Sequence, residues 1–247
     1  APRLPTDQAG PTGAVNIAPS AAPPTSIQTT CVTSECHATL VAQQFVHPPS
    51  AQKQCEACHS LVDEAAHRFQ LIAKEPELCY QCHDRPPAAA FQHGPVALGM
   101  CTVCHNPHSA PQKFMLPEAG KNLCLTCHDE MAQRLRSVRV PHAAIDQNGC
   151  TACHDPHRAD LRYQLKANGP DLCLKCHSPI RQIIETASVT HEPVTTDKAC
   201  LNCHNPHGSD VPKMLTDVEM DLCLSCHDKP LDTPNGPIIN MKDWIER

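Results

Sequence analysis

Large aromatic side chains are nearly missing from this chain: four Phe, two Tyr and one Trp in 247 residues. A globular chain of that length buries many more, because aromatics dominate the area hidden in an ordinary core. Glycine is scarce at nine residues, while proline reaches 25. No run of 18 apolar residues occurs, so no segment is expected to cross a bilayer as a helix. No basic stripe is visible and the net charge is −6 with His neutral, which argues against nucleic acid as a partner. Charged residues make up only 19%, too few for a polyelectrolyte tail. The chain starts at Ala1 without a charged-then-apolar leader, as expected of an exported protein whose signal peptide has been removed. An ordinary enzyme core and a disordered chain are both disfavoured. Something other than side chains must fill the core.

Cysteine is abundant instead, with 18 residues. Eight pairs read C-x-x-C-H: Cys55 and Cys58, Cys79 and Cys82, Cys101 and Cys104, Cys124 and Cys127, Cys150 and Cys153, Cys173 and Cys176, Cys200 and Cys203, Cys223 and Cys226. Cys31 and Cys36 form a wider ninth pair, CVTSECH, and no cysteine is left over. This is the attachment signature of c-type haem. Residues i, i+3 and i+4 share one face of a helical turn, so two thiols can bond one porphyrin while the adjacent histidine reaches its iron. Zinc ribbons would use such pairs two at a time without a histidine after each, and disulfides would not repeat a fixed histidine. The motifs give nine proximal ligands: His37, His59, His83, His105, His128, His154, His177, His204 and His227. In the first motif VTSE must bulge for both thiols to reach one ring. Nine haems are expected, with a singly attached haem or none as the alternative there.

The motifs at Cys55, Cys101, Cys150 and Cys200 are spaced by 46, 49 and 50 residues, and each is followed 23 or 24 residues later by a second motif. Three first motifs continue as CHNPH or CHDPH, and Leu78, Leu123, Leu172 and Leu222 precede the second motifs. Such self-similarity marks an array of stacked units. The expected organisation is a Pro/Ala-rich arm or linker at 1–30, then one nonahaem domain over 31–247. That domain divides into a half-repeat at 31–46, di-haem repeats at 47–92, 93–141, 142–190 and 191–229, and a tail at 230–247 in which Trp244 and Ile245 pack as a cap. Short helical turns should sit on the motifs, with longer helices at Asp129–Val138 and Pro179–Ala187. The fold class is a multihaem cytochrome c, mostly loop with short α-helices and little or no β structure. It should form an extended repeat rod whose stacked haems are the core.

Eight histidines lie outside the motifs: His47, His67, His93, His108, His142, His157, His191 and His207. They recur at fixed places in the repeat and are expected as distal iron ligands. His108, His157 and His207 lie too close to a proximal histidine to reach over the same ring. They are therefore assigned to the second haem of the repeat, with His67 as their displaced equivalent. The upstream His47, His93, His142 and His191 are assigned to the first haem. Nine haems need one more distal ligand than the chain holds. Spacing makes the motif at Cys31 a second-type haem whose donor half-repeat is lost, so haem one is expected to lack a histidine. Its sixth position is left to Met, the N-terminal amine, a partner, water or a vacancy. Met115 and Met214 look like packing residues, and Met131 and Met241 are the less patterned candidates. The alternative is that His47 turns back to haem one and leaves the deficit at Cys55.

The ordered CHxPH and LCxxCH repeat over 31–229 resembles the periplasmic decahaem cytochromes that thread outer-membrane porins, and the shorter pentahaem donors to periplasmic nitrite reductase. The resemblance implies a haem-lined rod in the periplasm or outer membrane of a Gram-negative bacterium. It further implies a β-barrel porin and an extracellular multihaem cytochrome as redox partners. The missing tenth haem and the widened first motif depart from that pattern.

About 27 residues per haem leave too little protein to insulate the cofactors. Close haems with histidine on both faces exchange electrons and offer no open iron, and such ligation favours low potentials. Haem propionates make the holoprotein more acidic still, which suits basic surfaces on partners. An electron conduit is the favoured function. A multihaem reductase would need an open iron, often marked by C-x-x-C-K or a special tyrosine. Here every motif ends in His, only Tyr80 and Tyr163 occur, and haem one is the sole candidate. A subunit of an extracellular cytochrome filament, or a periplasmic donor to a multihaem reductase, are the alternatives.

Overall fold

The computed structural model describes residues 31–238. The Pro/Ala-rich arm at 1–30, and Met241, Trp244 and Ile245 in the tail, lie outside the described residues. Within them the chain forms eight short α-helices, ten 3₁₀ turns and four two-stranded antiparallel pairs.

Side chains alone make almost no core. Among the described residues the buried hydrophobic ones are Ala110, Ala132, Leu174 and Ala199, and no large side chain is fully buried. Leu98, Phe114, Tyr163 and Val189 are each at least 70% exposed. That matches the shortage of aromatics: the polypeptide is a thin shell around something it does not itself supply.

Helical turns coincide with the cysteine motifs. Five take the 3₁₀ form, at Cys55–Ala57, Cys79–Gln81, Cys101–Val103, Cys150–Ala152 and Ala199–Asn202. Three α-helices end on a motif, at Lys121–Leu125, Gly169–Leu174 and Glu219–Leu224. The two longest helices, Asp129–Ser137 and Ser178–Thr186, fall within one residue of their expected bounds. Asp129 and Glu130 open the first of these and Arg134 and Arg136 close it, charges that complement the helix dipole.

As expected, β structure is slight, but the short strands hold the repeats together. Phe45–Val46 pairs with Ser109–Ala110, and Phe91–Gln92 pairs with Arg158–Ala159. Val140 makes the matching bridge to Ser209. In each case the residue two before an upstream histidine meets the residue two after the CHxPH histidine of the next repeat. Asp160 and Asp210 reinforce the seam, accepting from the backbone N–H of Ala90 at 3.1 Å and Arg139 at 3.0 Å. Buried Ser109 ties in the half-repeat by donating to the Leu40 carbonyl at 2.7 Å. Two-residue strands are too short for a sequence to display their alternation. Two hairpins complete the set, His59–Asp63 with Arg68–Leu71 and Leu231–Thr233 with Gly236–Ile238.

The seam between the third and fourth repeats leaves no room for a β-carbon at Gly208. Its φ is +106°, and a Cβ there would lie 2.8 Å from the Val140 carbonyl oxygen and 2.9 Å from Val138 Cγ2. Gly208→Ala should therefore cost about 1–3 kcal/mol and lower the thermal midpoint of the holoprotein. An unchanged midpoint would show that this seam does not contribute to stability.

Candidate haem-ligation site

The CHxPH sequence builds a turn. Asn106, Asp155 and Asn205 each accept, through the side-chain oxygen, the backbone N–H of the histidine two residues on: His108 at 2.9 Å, His157 at 2.9 Å and His207 at 3.1 Å. The proline between them fixes its own φ and pushes the preceding residue out of the helical region. The second histidine is thus aimed away from the first.

A loop then returns to orient the proximal ring. The Nδ1–H of His105 donates to the Phe114 carbonyl at 2.8 Å, that of His154 to Tyr163 at 2.6 Å, and that of His204 to Lys213 at 2.9 Å. Phe114, Tyr163 and Lys213 have φ near +60°, as do the residues that follow them. The next carbonyls, of Met115, Gln164 and Met214, accept from the backbone of Asn106, Asp155 and Asn205, each at 2.8 Å. Two successive left-handed residues turn both carbonyls toward the motif, at a strain of about 1–2 kcal/mol each. Upstream histidines are held the same way across the seam: His47 donates to the Pro107 carbonyl at 2.9 Å and His142 to Pro206 at 3.1 Å. A proton fixed on Nδ1 leaves Nε2 with its lone pair free for a metal.

Sixteen of the seventeen histidines face one another in pairs. The pairs are His37–His67, His47–His83, His59–His108, His93–His128, His105–His157, His142–His177, His154–His207 and His191–His227. Ring centres are 5.9–6.2 Å apart and planes lie within 8–17° of parallel. Two metal–imidazole bonds of about 2.0–2.1 Å, extended by the half-width of each ring, span that same distance. One member of each pair is always a motif histidine, so the thiols and the facing rings together fit a haem. Burial, then the facing histidine, holds His93, His108 and His207 below the ordinary imidazole range. Each is thereby kept in the neutral form a metal requires.

The pairing differs from the expected one. Upstream His47, His93, His142 and His191 face the second motif of their own repeat, not the first. His108, His157 and His207 face the first motif of the preceding repeat, not the second motif of their own. The expectation that haem one lacks a histidine is overturned as well, because His67 faces His37 at 5.9 Å. His47 does not turn back either; it faces His83. The first repeat has no complete predecessor, so its displaced histidine serves the half-repeat instead. The deficit moves to the other end, where His204 has no histidine opposite it. The seam is the physical cause: His59, His105 and His154 each receive the facing ring from the following repeat, and no described residue plays that part for His204.

The widened first motif closes by a tight turn. Thr33 N–H donates to the Cys36 carbonyl at 2.8 Å, and Thr33 Oγ1 accepts from Cys36 N–H at 3.0 Å. This folds back the extra residues. Thiols of consecutive motifs also adjoin. Burial and a hydrogen bond with Cys31 push the Cys55 thiol up, and burial with Cys101 pushes Cys79 up to about 11. Burial with Cys200 likewise pushes Cys173 up to about 11. Cys124 is raised chiefly by its hydrogen bond with Cys150, and Cys104 and Cys153 by burial beside Cys127 and Cys176. Cys58 acts on Cys79 as well. These contacts link the first motif to the eighth in sequence order. The carbonyls of Phe114, Tyr163 and Lys213 are the site groups that motif reading missed. The repeated KFML, RYQL and PKML segments, at one offset after CHxPH, were the available signal.

No curated protein matches the sequence. The doubled CXXCH motif family matches four segments, 47–88, 93–133, 142–182 and 191–231, which together cover about two thirds of the chain. Each segment starts at an upstream histidine. With paired motifs and facing histidines both in place, the chain belongs to the doubled CXXCH motif family and is a multihaem c-type cytochrome that transfers electrons.

Proposed function

We propose that this cytochrome holds nine c-type haems in a single ordered line and conducts electrons along it, across the outer membrane inside a β-barrel partner. The observations that carry the reading are the eight facing histidine pairs and the thiol contacts that join the first eight motifs in sequence order. Each haem supplies an iron that alternates between ferric and ferrous states, taking and releasing one electron. The chain's own residues do the rest. The cysteines of each motif would hold a ring through two thioether bonds, and from the first motif to the eighth they lie beside thiols of the next motif. Facing histidines would take both sides of eight irons and leave no position for substrate, and carbonyls on Nδ1 hold the imidazoles still. Rigid ligation of this kind suits transfer without chemistry. Seams between repeats keep the line continuous, with the acidic surface left for basic partners.

The test is to purify the protein from outer membranes of the producing cell and incorporate the complex into liposomes that enclose an oxidised dye. External reductant should bleach the dye only when cytochrome and barrel are both present. Cytochrome that extracts alone, with no complex that moves electrons across the bilayer, would refute the conduit. The same result would leave the periplasmic-donor reading standing.

A further inference from the structure

We propose that the iron held by His204 keeps its sixth position open and binds a small exogenous ligand: a neutral diatomic when ferrous, a small anion when ferric. The proposal rests on the reading that every motif holds a haem. Sixteen of the seventeen histidines are used in facing pairs, so the described residues offer none for this iron. Position in the fold agrees with the inventory. The equivalent His59, His105 and His154 are half-buried, each behind the turn of a following repeat, whereas the His204 ring is exposed. Its own orientation is nonetheless complete, since Nδ1 donates to the Lys213 carbonyl at 2.9 Å as in the earlier repeats.

The surface around it shows the same unfinished seam. Val189 stands two residues before His191, where Phe45, Phe91 and Val140 stand before their own upstream histidines. Those three each pair with a residue of the next repeat. Val189 is 85% exposed, the most exposed large hydrophobic residue described. One face of the His204 site is therefore built, and no described residue covers the opposite face. A second copy of the chain cannot close it with a histidine, because sixteen of its histidines are already paired and the remaining one holds an iron of its own.

The experiment is a carbon monoxide titration of the reduced holoprotein, with total haem counted independently by the pyridine adduct. One equivalent per chain should bind. The oxidised protein should show one high-spin signal in electron paramagnetic resonance that cyanide converts to low-spin. His67→Ala, which uncovers the iron held by His37, should raise the titre from one equivalent to two. Replacing Cys200 and Cys203 by serine should remove one haem by mass and take the titre from one to zero. If that variant does not fold, His204→Met should shift the spectrum of the carbon monoxide adduct. No binding by wild type at nine haems per chain would overturn the proposal. So would binding that appears only in Met241→Ala, which would identify a thioether ligand. A titre that survives loss of the Cys200 haem would place the open iron elsewhere. A count of eight haems, with the Cys200–Cys203 peptide unmodified, would instead fault the one-haem-per-motif reading.

Discussion

Replacing His108 with alanine should open the iron held by His59 in the preceding repeat, and leave the iron held by His128 in its own repeat unchanged. The geometry is specific: His108 faces His59 at 6.1 Å, while His128 faces His93 at 6.0 Å. The Asn106 turn aims His108 across the seam, so the effect should cross it too. One of nine haems should turn high-spin. Its potential should rise by some part of the roughly 0.8 V that axial ligation spans. That iron would then be a trap in the middle of the line, and transfer from end to end should slow sharply. His93→Ala is the matched control, opening the iron of His128 within one repeat. Magnetic circular dichroism and a redox titration of the two variants would distinguish them. The same local spectrum in both would mean that the facing pairs do not correspond to shared irons.

Intact mass of the wild-type holoprotein should exceed that of the polypeptide by nine haems, and that of the Cys31→Ser, Cys36→Ser double variant by eight. The widened motif closes with Thr33 across Cys36, brings Cys31 against Cys55, and presents His37 to His67 at a separation like that of the other pairs. Loss of that haem should leave His67 with no iron and remove about one-ninth of the haem absorbance, with the other eight retained because repeat units fold on nearest-neighbour contacts. A wild-type shift of eight haems would show that the extra residue in CVTSECH defeats attachment. Cys36→Ala alone should retain nine haems, one of them singly bonded and more easily lost on heating.

Most of the site's chemistry was legible without coordinates. Each Cys-x-x-Cys-His is local, and its five residues make one turn whatever surrounds them, as at Cys150–Ala152. The CHxPH histidines were legible for the same reason, since an Asx side chain, a proline and a histidine in succession specify their own turn. The helices at Asp129–Ser137 and Ser178–Thr186 could be read from their first-turn acid or proline and from the absence of breakers within them. The scarcity of aromatics foretold a shell without a side-chain core, and the shell buries only small residues and one leucine.

The assignment of one histidine to another was not legible, because pairing is a property of the seam. Nothing local distinguishes His108 facing His59 from His108 facing His128. That choice was made by Phe45–Val46 lying against Ser109–Ala110, a contact between segments more than sixty residues apart. The left-handed carbonyls of Phe114, Tyr163 and Lys213 were hidden likewise, since their conformation is held by hydrogen bonds from His105, His154 and His204 and not by glycine. The sequence by itself determined how many histidines and thiols there are, and hence that nine motif histidines outnumber the eight others by one. Only the tertiary structure decided which motif histidine is left without a facing ring. Each repeat reaches backward to complete its predecessor, so among the described residues the histidine without a facing partner is His204, in the first motif of the fourth repeat.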